Sequence, residues 1–198
     1  MSPPFRGGDA GQAFPIYVAV VGGLLFLALA YLAVGQAAVN RNGAQTAADA
    51  AALAAAQDRR DQLADAWVET LLDPAHWGEI FDGDVTVDPS CPRADQLAAQ
   101  NDADVLTCEP LGLLGYRVEV ETNESVGASI VPGTEDKHAK ASATAVIESL
   151  CTFDPADAES KDLLPRLTCE DRDWEFDPKD KDPILPEPQD LFTVHLAE

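Results

Sequence analysis

The chain has 198 residues, with 35 acidic against 13 basic side chains, a formal charge of −22 and 46% apolar content. That length bounds it to one domain, or one modest domain with attachments, and the apolar content excludes wholesale disorder. The charge excludes a nucleic-acid partner, because phosphate binding rests on Lys and Arg; it opposes docking on an anionic membrane surface but not a span through a membrane.

The charge is unevenly spread. No acid or base lies between Asp9 and Arg41, and within that gap Phe14 to Val34 reads FPIYVAVVGGLLFLALAYLAV. As a helix this stretch reaches about 32 Å, close to the bilayer hydrocarbon thickness of roughly 30 Å. Pro15 falls in the first turn, where a missing N–H costs little. Tyr17 and Tyr31 lie near the two ends, where aromatic rings favour the interface. Gly22 and Gly23 permit close approach of another helix. A cleaved signal peptide and a buried core helix compete with this reading. A signal peptide carries a shorter apolar region, about 7–15 residues, before its cleavage site. Ala28-Leu29-Ala30 offers a small-x-small pattern, but the helical pattern continues past it, so a retained span over 14–34 is expected after a leader over 1–13. The short flank carries Arg6 and the amino terminus, which favours a cytoplasmic N-terminus with the acidic bulk of the chain outside.

Residues 35–72 continue the helical pattern. From 36 to 72 there is no proline and a single glycine, Gly43, and the run from Ala44 to Gln57 is built from strong helix formers. Leu63, Trp67 and Leu71 recur on one face, and Asp73-Pro74 ends the helix. Gly35 and Asn40–Gly43 are the expected kink positions. The alanine face needs a partner, either the chain's own outer domain or neighbouring helices.

Residues 73–150 read as a small α+β domain, with Asp84–Val87, Tyr116–Glu121 and Ala139–Ile147 alternating as strands. A short helix falls between Pro92 and Gln100, and Gly127 and Pro132-Gly133 mark a loop. Helix on antiparallel sheet satisfies the layer rule. Residues 151–198 hold six prolines and 14 acids against 5 bases. They read as an acidic, loop-rich extension whose Leu191–Leu196 segment adds a final strand. The four cysteines, Cys91, Cys108, Cys151 and Cys169, suggest two disulfides in an exported domain. Three pairings are possible, and pairing nearest neighbours gives Cys91–Cys108 and Cys151–Cys169.

The motifs of hydrolases, metalloproteases, phosphate loops and dinucleotide sites are missing, so neither an enzyme nor a cofactor is expected. A zinc site is disfavoured: no C-x-x-C occurs, and His76, His138 and His195 are scattered. Two acidic clusters, Asp82/Asp84/Asp88 and Asp171/Asp173/Glu175/Asp177, lack the loop order of a calcium hand and read as solvated faces. Trp67, Trp77 and Trp174 read as core residues.

Gly11-Gln12-Ala13 opens directly onto the span. After the span come Gln45, Ala47, Ala48, Asp49, Ala50, Ala51, Ala52, Leu53 and Ala54. This arrangement, over about residues 6–57, resembles the N-terminal region of TadE/TadG-like proteins of the Flp (tight-adherence) pilus system. The resemblance implies a pilin-like fold and a membrane-anchored, pseudopilin-like component of pilus assembly or secretion. Its partners would be the membrane and other pilus-assembly or pilin-like membrane proteins. The chain is too short for the von Willebrand-type domain of larger TadG-like proteins. Processed pilin-like members carry a glutamate five residues after the cleaved glycine; here that position is Ile16 counted from Gly11, or Ala13 counted from Gly8. With no acid between Asp9 and Asp49, the leader is expected to stay attached. The alternative is a single-span exported binding module for calcium or a cell-envelope ligand, unrelated to pili.

Overall fold

The computed structural model describes residues 13–125, 136–154, 164–180 and 182–197. One helix, α1, runs from Ala13 to Glu69 without interruption, through Gly35 and through Asn40–Gly43. Its first part is long and apolar enough to cross a membrane by length and composition, over Phe14–Leu32. The helix stops at Glu69, and Thr70–Leu72 form a turn in which Asp73 N–H donates to the Thr70 carbonyl. A 3-10 turn at Pro74–His76 and a short helix α2, Trp77–Phe81, follow. Helix α3, Cys91–Gln100, leads into the sheet.

That sheet has strands β1 (Ala103–Pro110), β2 (Gly115–Ser125), β3 (His138–Ser149) and β7 (Phe192–Leu196), in the order β1-β2-β3-β7 and antiparallel throughout. The tail adds a second small sheet of β4 (Cys151–Phe153), β5 (Leu167–Cys169) and β6 (Asp173–Trp174), then the one-turn helix α4, Pro188–Leu191. The class is α+β: a membrane-length apolar helix runs on into a long helix, and a small antiparallel domain packs on the latter. Gly127 and Pro132-Gly133 lie outside the described residues.

The outer half of α1 lies across β2, β3 and β7, with α3 beside it. Residues of one parity on β2 and β3 face this layer: Tyr116, Val118, Val120, Ala143, Ala145 and Ile147 are buried, while Arg117, Lys140, Ser142 and Glu148 are exposed. This is the period-2 pattern of a sheet covered on one side. Opposite them Ala47, Ala48, Ala51, Ala52, Ala55 and Ala56 are fully buried. The alanine face is thus consumed within the chain.

Two sequence expectations need correction. Asp84–Val87 is not a strand. Side chains of α1 hold its two flanks and one carbonyl within it: Arg59 Nη2 donates to the Gly83 carbonyl at 2.7 Å and to the Val85 carbonyl at 3.5 Å, and Asp88 N–H donates to Gln62 Oε1 at 2.7 Å. Fastened to α1 in this way, the stretch runs along the helix and joins no ladder. The strand before β2 is instead β1, which the alternation missed. Val105 pairs with Val120 and Thr107 with Glu119, so Leu106 is an extra residue in a bulge that breaks the period.

The end of α1 is closed by an aromatic cluster. Trp67 lies 5.2 Å from Trp77 and 5.4 Å from Phe176, Trp77 lies 5.4 Å from Phe153, and Phe81 lies 5.5 Å from Phe192. Spacings of this kind are favourable for tilted and edge-to-face pairs. They knit α1, α2, β4, the tail and β7 into one core.

The tight alanine layer leaves no room for larger side chains. Ala51→Leu should destabilise the folded domain by about 1–3 kcal/mol, whereas Gln45→Leu, on the exposed side, should change stability by no more than about 0.5 kcal/mol. Urea denaturation of the full chain in detergent, followed by tryptophan fluorescence, checks both.

Candidate functional site

The candidate site is α1 itself, because one helix carries two surfaces of different chemistry. In Phe14–Leu32 the large apolar side chains are exposed, Phe14 at 75% and Tyr31 at 80%, with only Val21 half-buried. A Cβ added to Gly22 or Gly23 would meet nothing within 4 Å, so none of the described residues packs there. Exposed apolar area of this extent requires a non-aqueous environment or a partner.

The alanine motif begins at Gln45, beyond the apolar run that Val34 closes, and it splits into two faces. Ala47, Ala48, Ala51 and Ala52 are buried under the sheet and Ala54 is nearly so. Gln45 is exposed, and Asp49, Ala50 and Leu53 are half-buried. Gln45 Nε2 donates to Asp49 Oδ1 at 2.7 Å. This one-turn pair stabilises the helix by about 0.2–0.5 kcal/mol on the side away from the sheet. Thr46 Oγ1 donates to the Asn42 carbonyl at 2.9 Å.

The outer domain meets the helix close to the apolar segment. Asn40 Nδ2 donates to the carbonyl of Ser125, at the end of β2, over 3.3 Å. Asn40 lies eight residues beyond Leu32, which is about 12 Å along the helix. The sheet therefore begins little more than two turns past the apolar segment.

The four cysteines form Cys91–Cys108 and Cys151–Cys169, with Cα separations of 5.9 and 4.0 Å. The first ties the start of α3 to β1. The second joins β4 to β5 and fastens the tail over the aromatic cluster. No cysteine is left free for other chemistry.

Among the described residues, no group of three or more His, Cys, Asp and Glu side chains is placed to hold a metal ion. Asp82, Asp84 and Asp88 are exposed. In the tail, Arg166 stands between the acids, 3.9 Å from Asp173 and in direct contact with Glu175. His138 Nδ1 lies 2.7 Å from the Thr122 carbonyl, His76 lies beside Asp73, and His195 is 3.8 Å from Glu148. The histidines thus sit at three separate places. Trp67, Trp77 and Trp174 are all buried.

Sequence reasoning missed the clamp made by Arg59 and Gly83. Gly83 adopts φ +75, and an added Cβ would lie 2.7 Å from Leu114 Cδ2. The Asp82-Gly83 dipeptide was the available signal for such a turn.

The second disulfide holds a lid on the tryptophans. Replacing Cys151 and Cys169 together by Ser should lower stability by about 2–4 kcal/mol. It should also raise the accessibility of the Trp67/Trp77 pair, measured as iodide quenching of fluorescence.

A model of the TadE/G-like, Flp pilus-assembly family matches residues 11–58. The match covers the apolar segment and the alanine motif and stops within α1, before the outer domain. No curated protein and no solved structure matches the chain.

Proposed function

We propose, from this TadE/G-like helix, that the chain is a non-enzymatic, membrane-anchored, pseudopilin-like component of Flp/Tad-type pilus assembly or secretion. The observation that carries the reading is the coincidence of two features on one helix. The family match over residues 11–58 contains both the exposed apolar segment and the alanines that seat the outer domain. Phe14–Leu32 crosses the membrane once, with the N-terminus cytoplasmic and the acidic domain outside. The disulfides support the same placement, because such bonds persist in oxidising compartments. The leader stays attached, since no acid in the span could pair with a neighbour's amino terminus. The partners are other pilus-assembly or pilin-like membrane proteins.

Protease added to intact protoplasts should remove the outer domain, and a domain protected until lysis would reverse the orientation. Deleting the coding sequence should abolish surface pili, with recovery on complementation; unchanged piliation would refute a role in assembly. Intact mass of membrane-extracted protein should retain Met1–Gly11, apart from removal of Met1. A mature terminus at Asp9 or Gln12 would turn the anchor into a filament subunit.

A further inference from the structure

We propose that two copies of this chain pair side by side, through the groove between α1 and α3 and along the helix below it. The groove encloses about 480 Å³, and its lining includes Leu53, Ala54, Asp58, Asp61, Arg93 and Leu97. Its floor is apolar, with Leu53 and Leu97 half-buried and Ala54 nearly buried. Its rim holds both signs of charge: Gln62 Nε2 donates to Asp58 Oδ2 and reaches Ser90 Oγ at 3.4 Å, which sets the first turn of α3, with Arg93, beside the turn of α1 that carries Asp58 and Asp61. Arg93 bonds through its side chain to Gln96 and, among the described residues, pairs with no carboxylate. Asp58 accepts a hydrogen bond from Gln62, and Asp61 is paired with Arg60.

A cation and two carboxylates on one rim are self-complementary under a two-fold axis parallel to α1. Rotation about that axis keeps each residue at its own height. Arg93 of one copy then faces Asp58 and Asp61 of the other, and vice versa, as an isologous contact requires. A second copy fits this rim better than a basic partner would, since a basic surface would leave Arg93 opposed by like charge.

The helix below the groove carries a matching pattern. Leu25, Leu32, Val39 and Leu53 share one heptad position, interrupted at Thr46. Gly22, Gly43 and Ala50 lie three residues before such positions, with Leu29 and Gln36 between them. Large residues at one seam position and small ones at three of the five positions of the other give a seam along which a second helix can approach closely. Val39 is 69% exposed and lies beyond the apolar segment. The net charge of −22 opposes association, but charges farther apart than about 8 Å are largely screened at physiological salt. Confinement to one membrane raises the effective concentration of the second copy.

The parallel arrangement rests on the anchoring proposed above, and the test separates the two. All four native cysteines are paired, so a single introduced thiol is the only free one. Leu53→Cys and Val39→Cys in the full chain, oxidised in membranes, should each give a disulfide-linked homodimer, while Asp104→Cys on β1 should not. In the Leu53→Cys background, Arg93→Glu should lower the dimer yield about fivefold, the size of effect an exposed pair supports. The double exchange Asp61→Arg with Arg93→Glu should restore it. Dimer yield from Leu53→Cys no higher than from Asp104→Cys, or cross-linking to a different protein, overturns the proposal. So does a failure of the double exchange to restore the yield. Release of the protein by alkaline carbonate would instead overturn the anchoring, and light scattering in detergent would still read the pairing.

Discussion

Everything outside the apolar segment depends on how closely a sheet can approach a helix. Alanine at Ala47, Ala48, Ala51, Ala52, Ala55 and Ala56 thins the side-chain layer that separates the two, so β2 and β3 pack closely on α1. The facing strand residues are also short where they meet it, as at Ala143 and Ala145. Close approach gives good packing but little transfer energy, since each buried methyl contributes only about 0.8 kcal/mol. An alanine seam positions the domain more than it stabilises it.

The stabilisation comes from elsewhere, and its sources sit at the far end of the helix. Trp67, Trp77, Phe81, Phe153, Phe176 and Phe192 form the only large aromatic cluster among the described residues. Its members come from α1, α2, β4, the tail and β7, so none of these stretches can bury its hydrophobic side alone. The two disulfides fasten the pieces that the sheet does not hold: Cys91–Cys108 fixes α3, and Cys151–Cys169 fixes the tail. Arg59 does the same for the loop after α2 by donating to the Gly83 carbonyl. The fold is therefore anchored at its distal end and only guided by alanine along its length.

This division explains what could be read from the residues. β2, β3 and the last strand follow from periodicity, because each presents one regular face to one layer, and the long helix follows from an apolar run continued by strong helix formers with no proline. β1 escaped because Leu106 bulges and puts the alternation out of phase. The tail sheet escaped because its strands are two or three residues long, too short for any period. Asp84–Val87 misled for the opposite reason. Its alternation is real, but Arg59 and Gln62 of α1 pin its two ends, at the Gly83 carbonyl and the Asp88 N–H, and hold it away from the sheet. Of the site, the apolar segment and the alanine motif were legible, and the direction in which the alanines face was not. Composition shows that such a face needs a partner; only packing shows that the chain provides it.

Because the alanines are spent internally, what α1 offers to other molecules is the complementary surface. The half-buried Ala50 and Leu53 and the exposed Val39 lie on a helix that is continuous with the apolar segment. An unbroken helix is stiff over a few turns, and Asn40 fastens the sheet to it about 12 Å past Leu32. The rotation of the apolar segment about its axis and the direction in which the outer domain faces are consequently one variable. A contact made by Gly22 or Leu25 within a membrane would orient the domain's α1–α3 groove outside it, and a contact made in that groove would orient the apolar helix. The conservative change of a single small residue in either part should therefore be felt in the other, which a flexible linker in place of Gly35–Asn40 would abolish.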